Sequence, residues 1–172
     1  SLTRPGTSYW DVHCATVRYM LEQLKALDFV RGDVDEMVAC GISGLFMPHG
    51  LGHNMGMDVH DMENLGEQYV GYDGKPKSKQ FGFKSLRLAR PLEPGFVFTV
   101  EPGIYFIPEL IDKWKAEKQF TDFICYEKLD AWRNFTGLRN ELDYTITPDG
   151  ARLLGTIKKP MTIEEVLAAK GI

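Results

Sequence analysis

Cysteine is scarce in this chain: Cys14, Cys40 and Cys125 are widely spaced and form no CxxC pair. An odd count with no pairing pattern excludes a disulfide scaffold and fits reduced thiols in a cytoplasmic protein. No apolar run approaches the roughly 20 residues that a membrane span needs. Basic residues (20) are outnumbered by acidic ones (24), and no polybasic tail offsets the net charge of -4. Nucleic acid and anionic membrane are therefore poor partners for it. Internal repeats and low-complexity tracts are missing, and so is an initiator Met. The chain opens at Ser1 and enters a helical pattern within a few residues, which predicts a piece of a longer protein. For such a piece the lack of a signal peptide excludes nothing.

What is present is enough for one domain with a sizeable core: 172 residues, 44% of them hydrophobic. Three of the four histidines fall in one stretch, Phe46 to Asp61, which reads FMPHGLGHNMGMDVHD. His49, His53 and His60 alternate there with Gly50, Gly52 and Gly56. Neutral imidazole is the commonest protein metal ligand and titrates near neutral pH, so the cluster points to metal binding or proton transfer. His49 and His53 are four apart, yet Pro48, Gly50 and Gly52 argue against a helix, and with it against the helical HExxH arrangement of zinc proteases. The glycines suit a tightly folded backbone that a ligand can approach closely. A Gly-rich turn with merely hydrogen-bonded histidines is the competing reading.

The flanks can be taken in order. Pro5-Gly6 predicts a turn, Thr7 or Ser8 a cap, and Tyr9 to Asp28 a core helix with Val12, Ala15, Tyr19, Leu24 and Leu27 on its apolar stripe. His13 on this helix reads as structural or solvated. Asp33 and Glu36 resemble a capping box for a short helix through Val34, Met37 and Val38 that stops at Gly41. Met62 to Lys84 is rich in Gly, Lys and polar residues and predicts a solvated loop, with a flap over the site as the alternative. Phe96 to Val100 predicts a strand after the turn Glu93-Pro94-Gly95, and Glu101 ends it against Pro102-Gly103. A carboxylate placed there needs a cation. Residues 108 to 133 form a charged, aromatic insertion, helical around Lys113 to Lys118. Gly137 to Thr147 alternates as one strand, placing Arg139, Glu141 and Asp143 on one face, turned either to solvent or to a metal. A turn at Pro148-Asp149-Gly150, a strand near Leu153-Leu154 and a helix capped by Thr162 and Glu165 complete the pattern.

Taken together, HGLGH with DVHD, then TVEPG, then R-x-E before a strand, resemble the second half of the pita-bread metallopeptidase domain, an α+β fold. The wording MPHGLGH, DVHD and VEPGIYFI is similar to the prolidases, the Xaa-Pro dipeptidases, over almost the whole chain. The resemblance implies two divalent ions, commonly Mn²⁺, held by two aspartates, one histidine and two glutamates. By motif, the metal ligands here are His53, Glu101 and Glu141. His49 and His60 line the site as catalytic residues with Glu101, while Arg87, His60 and Arg139 contact the substrate. Oxygen donors with one imidazole suit Mn²⁺ on chemical grounds as well. Residues 1–172 would then be the C-terminal portion of the catalytic domain, without the N-terminal domain and the aspartate-bearing hairpin, and inactive alone. The complete protein would hydrolyse Xaa-Pro dipeptides and be a homodimer. Asn140 and Leu142 depart from the family's wording around Glu141, and the loop after Asp61 is longer than in prolidases. Removal of an N-terminal residue before proline, as in aminopeptidase P, is the nearest alternative. A metal-free reaction of the creatinase kind and a pita-bread module that only binds protein, as histone-binding relatives do, are the others.

Overall fold

A computed structural model describes residues 2–157 and 159–172. Helix α1 (Tyr9–Ala26) buries Tyr9, Val12, Val17, Met20, Leu21 and Leu24. Its stripe passes through Met20 and Leu21, and Tyr19 is 63% exposed, contrary to the sequence reading. The helix also stops two residues earlier than Asp28, because Asp28 takes a φ of +59° and turns the chain. Ser8 occupies the N-cap position, but its hydroxyl donates to the Ala89 carbonyl (2.8 Å), tying the helix start to a neighbouring segment. Helix α2 (Val34–Cys40) makes half of the expected capping box, Asp33 accepting from the Glu36 N–H (2.9 Å), and Gly41 ends the helix in the left-handed region as expected. A single 3-10 turn, Ile42–Leu45, then delivers the chain to the histidine stretch.

Among the described residues, five strands form two antiparallel sheets. Strands β1 (Val97–Val100), β4 (Leu142–Thr147) and β5 (Gly150–Leu153) pair in the order β1-β4-β5, and β2 (Gly103–Phe106) pairs with β3 (Thr136–Arg139). The single strand expected from Gly137 to Thr147 is therefore two. Opposite the break lies Pro102, which has no N–H to continue a ladder, and Asn140 N–H donates to its carbonyl (3.1 Å). The chain crosses from one sheet to the other at Glu101-Pro102 and returns at Asn140-Glu141. Arg139 and Asp143 consequently belong to different sheets, and the continuous charged face does not form.

Two other expectations are corrected. The 62–84 stretch is a solvated loop only in part: residues 71–82 are turns and loop, but the stretch also contains a 3-10 turn at Glu63–Leu65, helix α3 (Glu67–Val70) and a second turn at Phe83–Ser85. Tyr72 and Phe83 anchor it in the interior, and the Tyr72 hydroxyl donates to the Leu86 carbonyl (2.6 Å). In the 108–133 region the helix begins earlier than Lys113, as α4 (Pro108–Ala116), because Pro108 fits the first turn. It ends before Lys118, whose φ is +54°. Helix α5 (Tyr126–Asp130) follows, and Ile111, Trp114, Tyr126 and Leu129 all join the core. The C-terminal helix α6 (Ile163–Lys170) has the expected reciprocal capping box between Thr162 and Glu165.

The core has two parts. One packs α1 and α2 against Phe46, Phe83, Phe106 and Trp114; the other gathers Leu51, Leu86, Leu88, Leu92, Phe98 and Ile146 around Tyr9 and Val12. Helix α1 contributes to both and so fixes the sheets relative to the histidine stretch. No helix among the described residues is long and apolar enough to cross a membrane.

Candidate metal centre and substrate pocket

The histidine stretch takes the place of a further strand. Leu51 to Met55 runs along the open edge of β1, with Glu101 N–H donating to the Leu51 carbonyl (2.7 Å), Thr99 N–H to that of His53 (3.0 Å), and Met55 N–H to that of Val97 (2.9 Å). Glycine makes this approach possible. A β-carbon on Gly52 would run into the Thr99 carbonyl oxygen and stand 2.6 Å from the Tyr9 hydroxyl, and one on Gly50 would meet the Leu86 backbone.

This pairing sets His53 beside Glu101. His53 is buried, and its Nδ1–H donates to the Asn54 carbonyl (2.9 Å), which leaves the lone pair on Nε2 free to bind a cation. Nε2 lies 3.5 Å from Glu101 Oε1. Thr99 joins the two: its hydroxyl accepts from the His53 N–H (3.0 Å) and donates to Glu101 Oε1 (3.2 Å). Glu141 arrives from the link between β3 and β4. One donor atom from each of His53, Glu101 and Glu141 lies within 4.8 Å of the others. Arg139 Nε sits 3.8 Å from Glu101 and 3.7 Å from Glu141, but its side chain is 47% exposed and offsets their charge only in part. An imidazole whose Nδ1 is committed to a backbone carbonyl and two converging carboxylates form a donor set that fits a divalent cation.

The other two histidines are held differently. His49 donates through Nδ1–H to the Gly50 carbonyl (2.8 Å) and accepts at Nε2 from the Tyr105 hydroxyl (3.0 Å). His60 is exposed, with its ring edge-on to His53 at 4.3 Å between centroids. Its Nδ1 accepts from Arg87 Nη1 (2.9 Å), so its proton resides on Nε2. The same Arg87 nitrogen donates to Glu63 (2.7 Å).

A cavity of about 360 Å³ brings together all seven residues selected from the sequence: His49, His53, His60, Arg87, Glu101, Arg139 and Glu141. Thr99, Tyr105 and Glu63 were not selected. Thr99 had a signal, since period two puts it on the same strand face as Glu101; Tyr105 and Glu63 had none. His13 is outside the site. It is buried against Phe83, 4.7 Å between ring centroids, and burial, with a lesser contribution from His49, pulls its pKa down to about 4.

Comparison with known proteins gives the family and the fold. The sequence is 42% identical to the Xaa-Pro dipeptidase of Rattus norvegicus, over 98% of this chain and 32% of that protein. It is 41% identical to the Homo sapiens Xaa-Pro dipeptidase, over 96% of this chain and 32% of that protein. The chain thus spans about a third of the length of the curated relatives it matches. Among solved structures, Escherichia coli aminopeptidase P with the inhibitor Pro-Leu superimposes with a TM-score of 0.65 and 34% identity, over 99% of this chain and 31% of that one. The sequence model of metallopeptidase family M24 matches residues 1–148. With its α+β architecture and its cluster of His53, Glu101 and Glu141 in place, the chain belongs to metallopeptidase family M24.

Proposed function

We propose that this chain is the C-terminal portion of a pita-bread catalytic domain that hydrolyses Xaa-Pro dipeptides, and that it supplies three of five metal ligands. The observation that carries the reading is the convergence in one cavity of a cation-binding triad with a guanidinium whose Nη2 and Nε make no hydrogen bond among the described residues. His53, Glu101 and Glu141 would hold two divalent ions, most simply Mn²⁺, together with carboxylates from outside these 172 residues. Bound there, the ions supply Lewis-acid polarisation of the scissile carbonyl and acidify the attacking water.

The remaining work falls to protein groups. Glu101 takes the proton of the attacking water and passes it to the leaving proline nitrogen. His60, with its proton on Nε2, donates to the developing oxyanion, and His49 lines the pocket, held in place by Tyr105. Arg87 pairs with the free carboxylate of the dipeptide through its unused edge. Arg139 holds Glu101 and Glu141 at their spacing and contributes positive charge to the substrate side. The unpaired Cys14, Cys40 and Cys125 support a cytoplasmic setting, and a homodimer of the complete protein completes the proposal.

Aminopeptidase P activity is the second reading, favoured by the likeness to the Escherichia coli structure. Hydrolysis of Gly-Pro and of an Xaa-Pro-Xaa tripeptide by the complete protein, with Mn²⁺ and with chelator, separates the two. Metal-dependent cleavage of Gly-Pro alone is expected. Cleavage of the tripeptide alone would move the assignment to an aminopeptidase, and silence toward both would favour a module that only binds.

A further inference from the structure

We infer that Glu63 is a positioning residue for substrate binding, setting the orientation of Arg87 from a segment outside the recognised motifs. The inference rests on the reading that Arg87 receives the substrate carboxylate. Both N–H groups of Arg87 Nη1 are used within the protein, one on His60 Nδ1 (2.9 Å) and one on Glu63 Oε2 (2.7 Å). A guanidinium is a planar fork, so anchoring one nitrogen on two partners fixes the plane and leaves the Nη2 and Nε edge for a second, bidentate partner. Glu63 is well placed to be such an anchor, its side chain being only 20% exposed and that of Arg87 40%.

The backbone supports the same role. Glu63 is carried by a segment lashed to the strand-like run that bears Arg87. The Gly71 carbonyl accepts from both Ala89 N–H (2.8 Å) and Arg90 N–H (2.9 Å), and the Tyr72 hydroxyl donates to the Leu86 carbonyl (2.6 Å). A β-carbon on Gly71 would collide with the Arg87 carbonyl, so the two backbones are in contact beside the arginine itself. What reads in the sequence as a polar loop is a brace behind the substrate-binding residue. Its specificity is for carboxylate-bearing ligands, because a misoriented guanidinium loses its second bidentate bond while the cation-binding triad is untouched.

The test uses the complete enzyme and two competitive inhibitors, L-proline and L-prolinamide, alongside Gly-Pro hydrolysis. Glu63→Gln keeps shape and removes the charge; it is expected to raise the KM for Gly-Pro and the Ki of proline about fivefold to tenfold, with kcat within about twofold and the Ki of prolinamide unchanged. Glu63→Asp, which restores the charge one methylene short, should fall between. Unchanged KM and Ki would overturn the inference, as would equal shifts for proline and prolinamide. A lowered KM would also overturn it, by showing that Glu63 competes for the guanidinium. Arg87→Ala separates this from the reading beneath it: if it leaves the dipeptide KM unchanged, the assignment of Arg87 fails, whereas a raised KM with a silent Glu63→Gln removes only the role of Glu63.

Discussion

His13 shows one residue's environment deciding between the two readings its sequence context allows. On a helix a lone histidine reads as structural or solvated; here it is sealed between Trp10 and Phe83 with neither ring nitrogen hydrogen-bonded among the described residues. Its pKa near 4 in the folded chain lies below the value of about 6.5 that it has when unfolded. The unfolded chain therefore takes up the proton first as pH falls. The stability is fully present above pH 6.5 and is lost between 6.5 and 4, by roughly 3 kcal/mol at most. Urea unfolding followed across that window should give a flatter pH dependence for His13→Met than for the native chain, and parallel curves would show that His13 does not set the slope. The site residues were easier to read than His13, because histidines, glutamates and arginines announce chemistry by type. Thr99 and Tyr105 act through single hydroxyl groups, whose residue type announces nothing, and only strand period pointed to Thr99.

At the level of elements, the sequence was most legible where local rules decide. The caps at Asp33 and Thr162 and the left-handed stop at Gly41 follow from side-chain geometry within four residues. It was least legible where the decision is made across the chain. The break between β3 and β4 depends on Pro102, nearly forty residues earlier, and the burial of Tyr72 depends on the segment at Leu86, fourteen residues later. The Leu51–Met55 edge belongs to the same class, and it gives a sharp expectation. Gly52→Ala should push the segment off β1, disturbing the hydrogen bonds made through Leu51, His53 and Met55. A loss of roughly 2 to 3 kcal/mol in denaturant unfolding is expected from the clash and the disrupted pairing. Metal uptake by calorimetric titration should fall with it. An alanine variant with native stability and native uptake would mean the edge can move outward without cost.

The molecule as a whole spans about a third of its curated relatives, and its candidate cation-binding group has three members among the described residues. A verified 172-residue chain is therefore expected to bind at most one ion weakly and to show no Gly-Pro turnover, whereas the complete protein should be active and lose activity with chelator. Turnover from the chain alone, with intact mass confirmed on the same sample, would contradict this. A final consequence follows from the way the two sheets exchange strands. Glu101-Pro102 and Asn140-Glu141 are opposing two-residue links, bounded by the pairs Val100↔Leu142 and Gly103↔Arg139. Glu101 and Glu141, the two carboxylates of the candidate cation site, thus stand on one crease, and their separation is copied from the spacing between neighbouring strands. The crease acts as a gauge block: the spacing of the two carboxylates is set by the backbone, and lengthening either link alone would throw them out of line, so over evolution the two links should change length together or not at all.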